Sequence, residues 1–139
     1  MKNLIILFAL IFTGCSIKNT VIPVEKQLSE LCIKNNKKVL MEGFLPELIK
    51  QIEQNNIKTV LIEEFDKVSC PNSMEYTANW RWDLVMYLTY AELRVYESDT
   101  LLGKGIYDAT WGGARLDKFG KTENKLKPIT DELFKNQKK

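Results

Sequence analysis

A long stretch of alternating apolar and polar residues, at positions 76–96, constrains the fold most strongly. Alternation with a period of two is typical of a β-strand that buries one face. The apolar phase shifts near residues 89–91, which predicts a β-bulge or burial on both faces of the strand. After a turn at 97–100, residues 101–110 are predicted to return as an antiparallel strand. The chain must therefore build a long hairpin and cover at least one of its faces.

Shorter elements are predicted on both sides of this hairpin. Strands at residues 31–33 and 59–62 flank a helix at 43–54, whose apolar residues recur on one face of a 3.6-residue period. This arrangement is typical of a right-handed, parallel βαβ unit. A second helix is predicted over residues 118–135, kinked or divided by Pro128. We expect an α+β domain of β-α-β-β-β-α order, with a mixed four-stranded sheet and both helices on one face.

The first fifteen residues have the features of an exported bacterial lipoprotein. Lys2 is followed by an apolar run at 4–12. As a helix this run spans about 14 Å, which is too short for the roughly 30 Å of a bilayer's hydrocarbon core. Residues 12–15, with the sequence FTGC, resemble a lipobox in which phenylalanine replaces the usual leucine. The prediction is a signal peptide at 1–14 that is removed; a plain secretory signal cleaved near Gly14 is the alternative.

Acylation of Cys15 would anchor the mature chain to a lipid bilayer. Several acyl chains hold a protein essentially permanently, because each buried CH₂ contributes about 0.8 kcal/mol. Ser16 follows where aspartate resembles an inner-membrane retention signal, so the expected location is the outer membrane, facing the periplasm, if the source has two membranes. Residues 15–27 are predicted as the acylated cysteine and a coil tether of about 45 Å at most. Residues 28–139 are predicted as a single α+β domain.

Two further cysteines, Cys32 and Cys70, are left in the mature chain. In an exported protein such a pair predicts a disulfide. Closing the loop between them would stabilise the fold by about 4 kcal/mol on the loop-entropy model. Two free, buried thiols are the alternative.

The composition excludes several classes of function. Histidine is absent, which removes Ser-His and Cys-His catalysis and the common zinc sites that contain histidine. The formal net charge of +2 is too small for a nucleic-acid footprint. The sequence has no phosphate-binding loop, nucleophile elbow or Cys-x-x-Cys pair. We therefore expect no enzymatic activity, cofactor, metal site or nucleic-acid partner.

Residues 76–83, with the sequence YTANWRWD, form the most unusual local string. Strand alternation predicts Trp80 and Trp82 on the buried face, followed there by further apolar residues. Arg81 and Asp83 are then predicted to form a salt-bridged pair on the outer face. The candidate docking surface on that face consists of Arg81, Asp83, Tyr87 and Thr89.

Two other functions compete with docking. An exposed indole of Trp80 or Trp82 could bind a carbohydrate or another small ligand. Asp83 and Asp108 could act as paired carboxylates of a hydrolase if their strands are adjacent and the two groups face one another.

The YTANWRWD string, with GFLPEL before it and YDA, GG and KF after it, resembles the Sbal-type family of small bacterial lipoproteins. The resemblance runs from about residue 31 to 134 and includes the lipobox and two cysteines at Cys32 and Cys70. Trp111 departs from the family, in which a polar residue is expected. The family is functionally uncharacterised, so it implies a location and an architecture but no activity.

The predicted order of elements is also similar to that of the partner-binding domain at the N-terminus of TolB. It is similar, too, to outer-membrane lipoproteins that activate peptidoglycan synthases. Together with the anchor, these similarities predict a non-enzymatic module that docks an envelope protein or peptidoglycan.

Overall fold

The computed structural model of this chain describes residues 16–113 and 115–137. This part of the chain forms six strands, two α-helices and one short 3₁₀ helix. The strands are β1 (Lys18–Ile22), β2 (Glu30–Lys34), β3 (Lys58–Ile62), β4 (Asn72–Asp83), β5 (Val85–Glu97) and β6 (Thr100–Asp108). The helices are α1 (Phe44–Glu53), the 3₁₀ helix (Leu116–Phe119) and α2 (Thr122–Leu133).

All six strands belong to one mixed sheet with the order β1-β6-β5-β4-β2-β3. β2 runs parallel to both of its neighbours, β3 and β4. The β4–β5, β5–β6 and β6–β1 pairs are antiparallel. The sheet therefore consists of a parallel βαβ unit extended by an antiparallel meander, with the N-terminal strand at its far edge.

Both helices cover the same face of this sheet. Tyr76, Leu93 and Gly105 are partners in register across β4, β5 and β6, so they point to one face. The ring of Tyr76 lies 5.7 Å from the ring of Phe44 in α1, and a Cβ placed at Gly105 would lie 3.6 Å from Ile129 Cβ in α2. The core lies between this face and the helices. Its largest buried side chains include Phe44, Leu48, Ile52, Met74, Leu93, Leu126, Ile129 and Phe134.

The predicted four-stranded sheet with a β-α-β-β-β-α order is wrong. The described residues form six strands, and the order of elements is β-β-α-β-β-β-β-α. Residues 76–96, predicted as one strand, belong to β4 and β5. The chain reverses at Leu84, whose φ is 64°, and this residue alone separates the register partners Asp83 and Val85. Sequence alternation does not reveal the reversal because no Gly, Pro or Asn marks it.

The segment at residues 15–27, predicted as an acylated cysteine and a coil tether, contains the other missed strand. Lys18–Ile22 form β1, which pairs with β6 along its whole length. Most side chains of β1 are exposed, so hydrophobic periodicity, which reports burial, does not detect this edge strand. Cys15 itself lies outside the described residues.

Other local predictions agree with the structure in whole or in part. α1 occupies nearly all of the predicted 43–54 helix. The predicted 118–135 helix is only partly correct, because its first two residues belong to the 3₁₀ helix and α2 runs from Thr122 to Leu133 without being divided at Pro128. The bulge is present in β5, since Asn79 pairs with Tyr90 and Trp80 pairs with Leu88, which leaves the intervening Thr89 unpaired in the register.

The predicted disulfide between Cys32 and Cys70 is confirmed, with the two Cα atoms 5.9 Å apart. Cys32 is a buried residue of β2, whereas Cys70 lies in the loop that precedes β4. The bond therefore ties the parallel part of the sheet to the beginning of the long hairpin.

Two glycines of β6, Gly103 and Gly105, leave different amounts of space for a Cβ atom. A Cβ at Gly103 would lie 2.7 Å from Val24 Cγ2 and 2.8 Å from the carbonyl oxygen of Ile22. A Cβ at Gly105 would meet α2 at 3.6–3.8 Å, which is ordinary van der Waals contact. Of these two glycines, only Gly103 is therefore required by the close approach of the end of β1 and of Val24 after it.

We predict that Gly103→Ala lowers the free energy of unfolding by about 1–3 kcal/mol, because the new methyl group must displace backbone as well as a side chain. Gly105→Ala, in the same strand, is the matched control and is expected to be neutral or stabilising. Urea denaturation of both variants measures the difference. An equal loss in the two variants would contradict the close packing at Gly103.

Candidate functional site

Three segments meet at the end of the sheet where β4 and β6 finish. Asp108, the last residue of β6, pairs with Tyr90, so β5 extends five residues beyond β6 towards Val85. The 3₁₀ helix packs against β5. Lys18, at the start of β1, also pairs with Asp108. The tip of the β4–β5 hairpin, the segment after β6 and the start of β1 therefore share one end of the molecule.

Lys118 of the 3₁₀ helix joins two of these segments. Its buried ammonium donates hydrogen bonds to Asp83 Oδ2 at 2.8 Å and to the carbonyl oxygen of Gly113 at 2.6 Å. The same ammonium lies 5.2 Å from the ring centroid of Tyr87 and 4.8 Å from that of Phe119. Charge-assisted hydrogen bonds and cation–π contacts thus hold the hairpin tip against the segment that follows β6.

Lys125 of α2 supplies a second buried ammonium beneath this junction. It donates hydrogen bonds to the carbonyl oxygens of Leu88 and Lys118. Its Nζ also lies 5.7 Å from the ring centroids of both Tyr87 and Tyr107. Burial lowers the pKa of Lys125 to about 8, since the charged form loses hydration that these contacts replace only in part.

A cavity of about 420 Å³ lies beside Lys125, at the same end of the molecule. Its lining includes Ile17, Tyr107, Asp117 and Asn124. The hydroxyl of Tyr107 is buried and accepts or donates no hydrogen bond within the described residues. Burial raises the pKa of Tyr107 to about 12. The cavity is therefore lined by a tyrosine and a lysine that are themselves buried.

Six large apolar side chains are exposed around this end of the sheet, and we call them the apolar rim. They are half of the twelve large apolar side chains that are exposed in the described part of the chain, so they are concentrated here. Such a concentration is typical of an interaction surface, whereas single exposed apolar residues are ordinary. The apolar rim consists of Trp82, Leu84, Val85, Met86, Trp111 and Leu116.

The hairpin tip and the 3₁₀ helix both contribute side chains to the rim. Trp82, 70% exposed, and Leu84, 81% exposed, flank Asp83 in the sequence. Asp83 is bonded to Lys118, and Leu116, 81% exposed, precedes Lys118 by two residues. The salt bridge therefore brings these apolar side chains to one end of the molecule.

Trp111 connects the rim to the N-terminal end of the described chain. Its indole is 78% exposed, and it lies two residues before Gly113, which also binds Lys118. The carbonyl oxygen of Trp111 accepts a hydrogen bond from the Ser16 amide at 3.1 Å. Cys15, the predicted acylation site, lies outside the described residues and is joined directly to Ser16.

The prediction that Trp80 and Trp82 both lie in the core is wrong for Trp82. Trp80 is partly buried, and its ring meets that of Phe44 edge-on at 5.5 Å. Trp82 is exposed, as are Leu84 and Met86, which were expected on the same buried face. The reason is the reversal at Leu84. It places these residues at the tip of a hairpin, beyond the part of the sheet on which α1 packs.

The residues of the predicted docking surface do not share one exposed face. Arg81 is exposed, but Asp83 forms its salt bridge with Lys118 rather than with Arg81. Tyr87 is partly buried against the 3₁₀ helix. Thr89 is buried, and its hydroxyl donates to a backbone carbonyl of β4 at 3.0 Å.

Asp83 and Asp108 are not brought together as paired carboxylates, because β5 lies between their strands. Asp108 is opposite Tyr90, which is opposite Asn79, and Asp83 lies four residues further along β4. At about 3.3 Å per residue and about 4.8 Å per strand, their Cα atoms are roughly 16 Å apart. Asp108 instead accepts hydrogen bonds from the amide and hydroxyl of Thr110.

The sequence did not point to Lys118, Lys125, Trp111 or Leu116 as parts of a site. Nothing in their spacing links the two lysines to the hairpin, because the contacts span 35 and 37 residues. Trp111 stood out only as a departure from the Sbal-type pattern, before a glycine pair.

The opposite end of the sheet carries a shallow groove of about 200 Å³. Phe65 and Tyr96 supply its aromatic lining, and Lys67 and Asp99 form a salt bridge at its border. In residues 16–113 and 115–137, no helix is long and apolar enough to cross a bilayer. The same ranges contain no cluster of three or more Cys, Asp or Glu residues able to hold a metal ion.

No protein-family model matches this chain, and no curated protein matches it. Among solved structures, the fold is similar to that of a PelC dodecamer from Paraburkholderia phytofirmans. That match has a TM-score of 0.53 and 7% sequence identity, and covers 89% of this chain and 99% of the PelC chain. A leucine-to-methionine variant of the same PelC dodecamer has a TM-score of 0.52 and 8% identity, with 83% and 98% covered. At these identities the similarity shows a shared fold alone.

We predict that the free energy of unfolding rises by about 2 kcal/mol between pH 8 and pH 10. The pKa of Lys125 falls from its ordinary 10.5 to about 8 in the folded protein, so between these values the unfolded chain binds more protons. Stability therefore increases with pH in this window. Above about pH 10 the trend should reverse, because burial raises the pKa values of Tyr90 and Tyr107 to about 12.

Urea denaturation at several pH values measures this dependence. Lys125→Met should remove the increase, whereas Lys127→Met, in the exposed part of the same helix, should keep it. A slope that is unchanged in Lys125→Met would contradict the assignment to Lys125.

Proposed function

We propose that this chain is a lipid-anchored lipoprotein of the bacterial envelope, held by acylated Cys15 in the outer membrane and facing the periplasm where the source has two membranes. We further propose that its domain is a non-enzymatic module that docks an envelope protein or peptidoglycan. The observation that carries the proposal is the position of Ser16 at the rim end of the sheet, opposite to the groove lined by Phe65 and Tyr96.

This arrangement gives the two ends of the domain different roles. An anchor at Cys15 would place the rim end next to lipid, because Ser16 is bonded to Trp111. The groove at the other end would then point away from the membrane. Concave surfaces that combine aromatic side chains with a few polar groups are favourable sites for recognition.

A specific observation also favours the second candidate, carbohydrate or small-ligand binding. The indole of Trp82 is exposed and available for stacking on a sugar ring. The same indole belongs to the apolar rim, so lipid and carbohydrate would compete for one surface. Trp80 is less suited to stacking because it packs against Phe44.

We predict that Cys15→Ala releases the protein from the membrane fraction or blocks its processing, because the variant lacks the thiol that carries the acyl chains. Cell fractionation combined with intact-mass measurement of the mature chain detects both effects. Cys15→Ala protein that is cleaved normally and still found wholly with membranes would contradict the anchor.

Docking at the groove end predicts site-specific crosslinking in the native envelope. A photo-crosslinking residue in place of Val68, which is 92% exposed in the loop before β4, should capture a defined partner. The same residue in place of Leu84, which is exposed at the opposite end of the sheet, is the control and should not. Both PelC structures are of dodecamers, so a second copy of this chain is among the partners to be scored. Equal capture from both positions, or none from Val68, would contradict docking at this end.

A further inference from the structure

We infer that the apolar rim inserts into the lipid–water interface of the membrane that carries the anchor, so that the domain has a fixed orientation on that membrane. This inference rests on the proposed acylation of Cys15 and deepens it. It assigns a bilayer surface, rather than a protein or a sugar, as the occupant of the rim.

The chemistry of the rim fits an interface. Trp82 and Trp111 present exposed indoles, whose apolar rings and N–H groups together suit the headgroup region of a bilayer. Leu84 and Leu116, at the same end of the molecule, are also exposed and offer purely hydrocarbon surface. An arrangement of this kind lies in the interface without crossing the membrane.

The charges around the rim do not oppose contact with anionic lipid. Asp83 is bonded to the Lys118 ammonium at 2.8 Å. Asp117 is bonded to the guanidinium of Arg115, which lowers the pKa of the carboxyl group and keeps it ionised within the pair. Each of these carboxylates is therefore balanced by a cation at close range, and repulsion from acidic headgroups is reduced.

The short length of chain between the proposed anchor and β1 favours a bilayer as the surface that covers the apolar rim. Only Ser16 and Ile17 separate Cys15 from the first residue of β1. Two residues span about 7 Å at most, in contrast to the roughly 45 Å available to a thirteen-residue coil. Because Ser16 is also held against Trp111, acyl chains at Cys15 would draw this end of the domain to the bilayer surface.

Fluorescence quenching in vesicles tests the inference with the mature, acylated full-length protein. Three variants, each retaining one tryptophan and carrying phenylalanine at the other two positions, are reconstituted into phosphatidylethanolamine–phosphatidylglycerol vesicles containing lipids brominated on the acyl chains. Circular dichroism verifies that each variant is folded. We expect the variants that retain Trp82 or Trp111 to lose most of their emission, whereas the variant that retains Trp80, packed against Phe44, should lose little.

A charge placed in the rim gives an independent measurement. In the variant that retains only Trp111, Leu84→Asp should reduce quenching by the brominated lipid. Leu40→Asp, which alters a similarly exposed leucine outside the rim, should leave it unchanged. Unchanged quenching in Leu84→Asp would overturn the rim as a continuous lipid-binding surface.

The possible failures of the proposal are distinguishable. Protein that floats with the vesicles while Trp82 and Trp111 are unquenched overturns the inference but leaves the anchor intact. Acylated protein that does not float overturns the anchor and the inference together. Trp82 emission that responds to soluble peptidoglycan fragments in vesicle-bound protein, or that shifts to the blue through contact with a second copy, overturns lipid as the occupant.

Discussion

The organisation of the rim end depends on one buried ammonium, that of Lys118. Its hydrogen bonds to Asp83 and Gly113 join the hairpin tip to the segment after β6, beside the ring contact between Tyr87 and Phe119. A lysine in such a place must be paired or hydrogen-bonded, because burial of an isolated charge is costly. The cation therefore ties its partners together, and with them the apolar side chains that neighbour each partner in sequence.

The edge strand β1 determines which end of the domain lies near the N-terminus. By pairing with β6, β1 brings the N-terminal end of the described chain to the rim. A coil in the same place would let the domain move freely at a distance from its anchor. The short link proposed here instead couples the lipid anchor to exposed indoles, and leaves the opposite end of the sheet available for a partner.

Much of the fold was predictable in the segments whose hydrophobic periodicity matches the burial of their side chains. The helix α1, the parallel strands beside it and the bulge at Thr89 all follow from hydrophobic periodicity. The disulfide was predicted from the expected export of the chain, since two remaining cysteines in an exported protein favour pairing, and the structure contains it. The reversal at Leu84 could not be seen in the same way, since alternation continues through it without a turn residue.

The sequence by itself determined α1, the parallel strands beside it, the pairing of Cys32 with Cys70 and the resemblance of the first fifteen residues to a lipoprotein signal. It determined neither β1 nor the division of residues 76–96 into β4 and β5. Only the tertiary structure decided which of the alternating side chains are covered. Alternation places Trp80 and Trp82 on one face of a strand, but burial requires another element above that face. α1 reaches Trp80 and not the hairpin tip, so Trp82 is exposed and belongs to the rim.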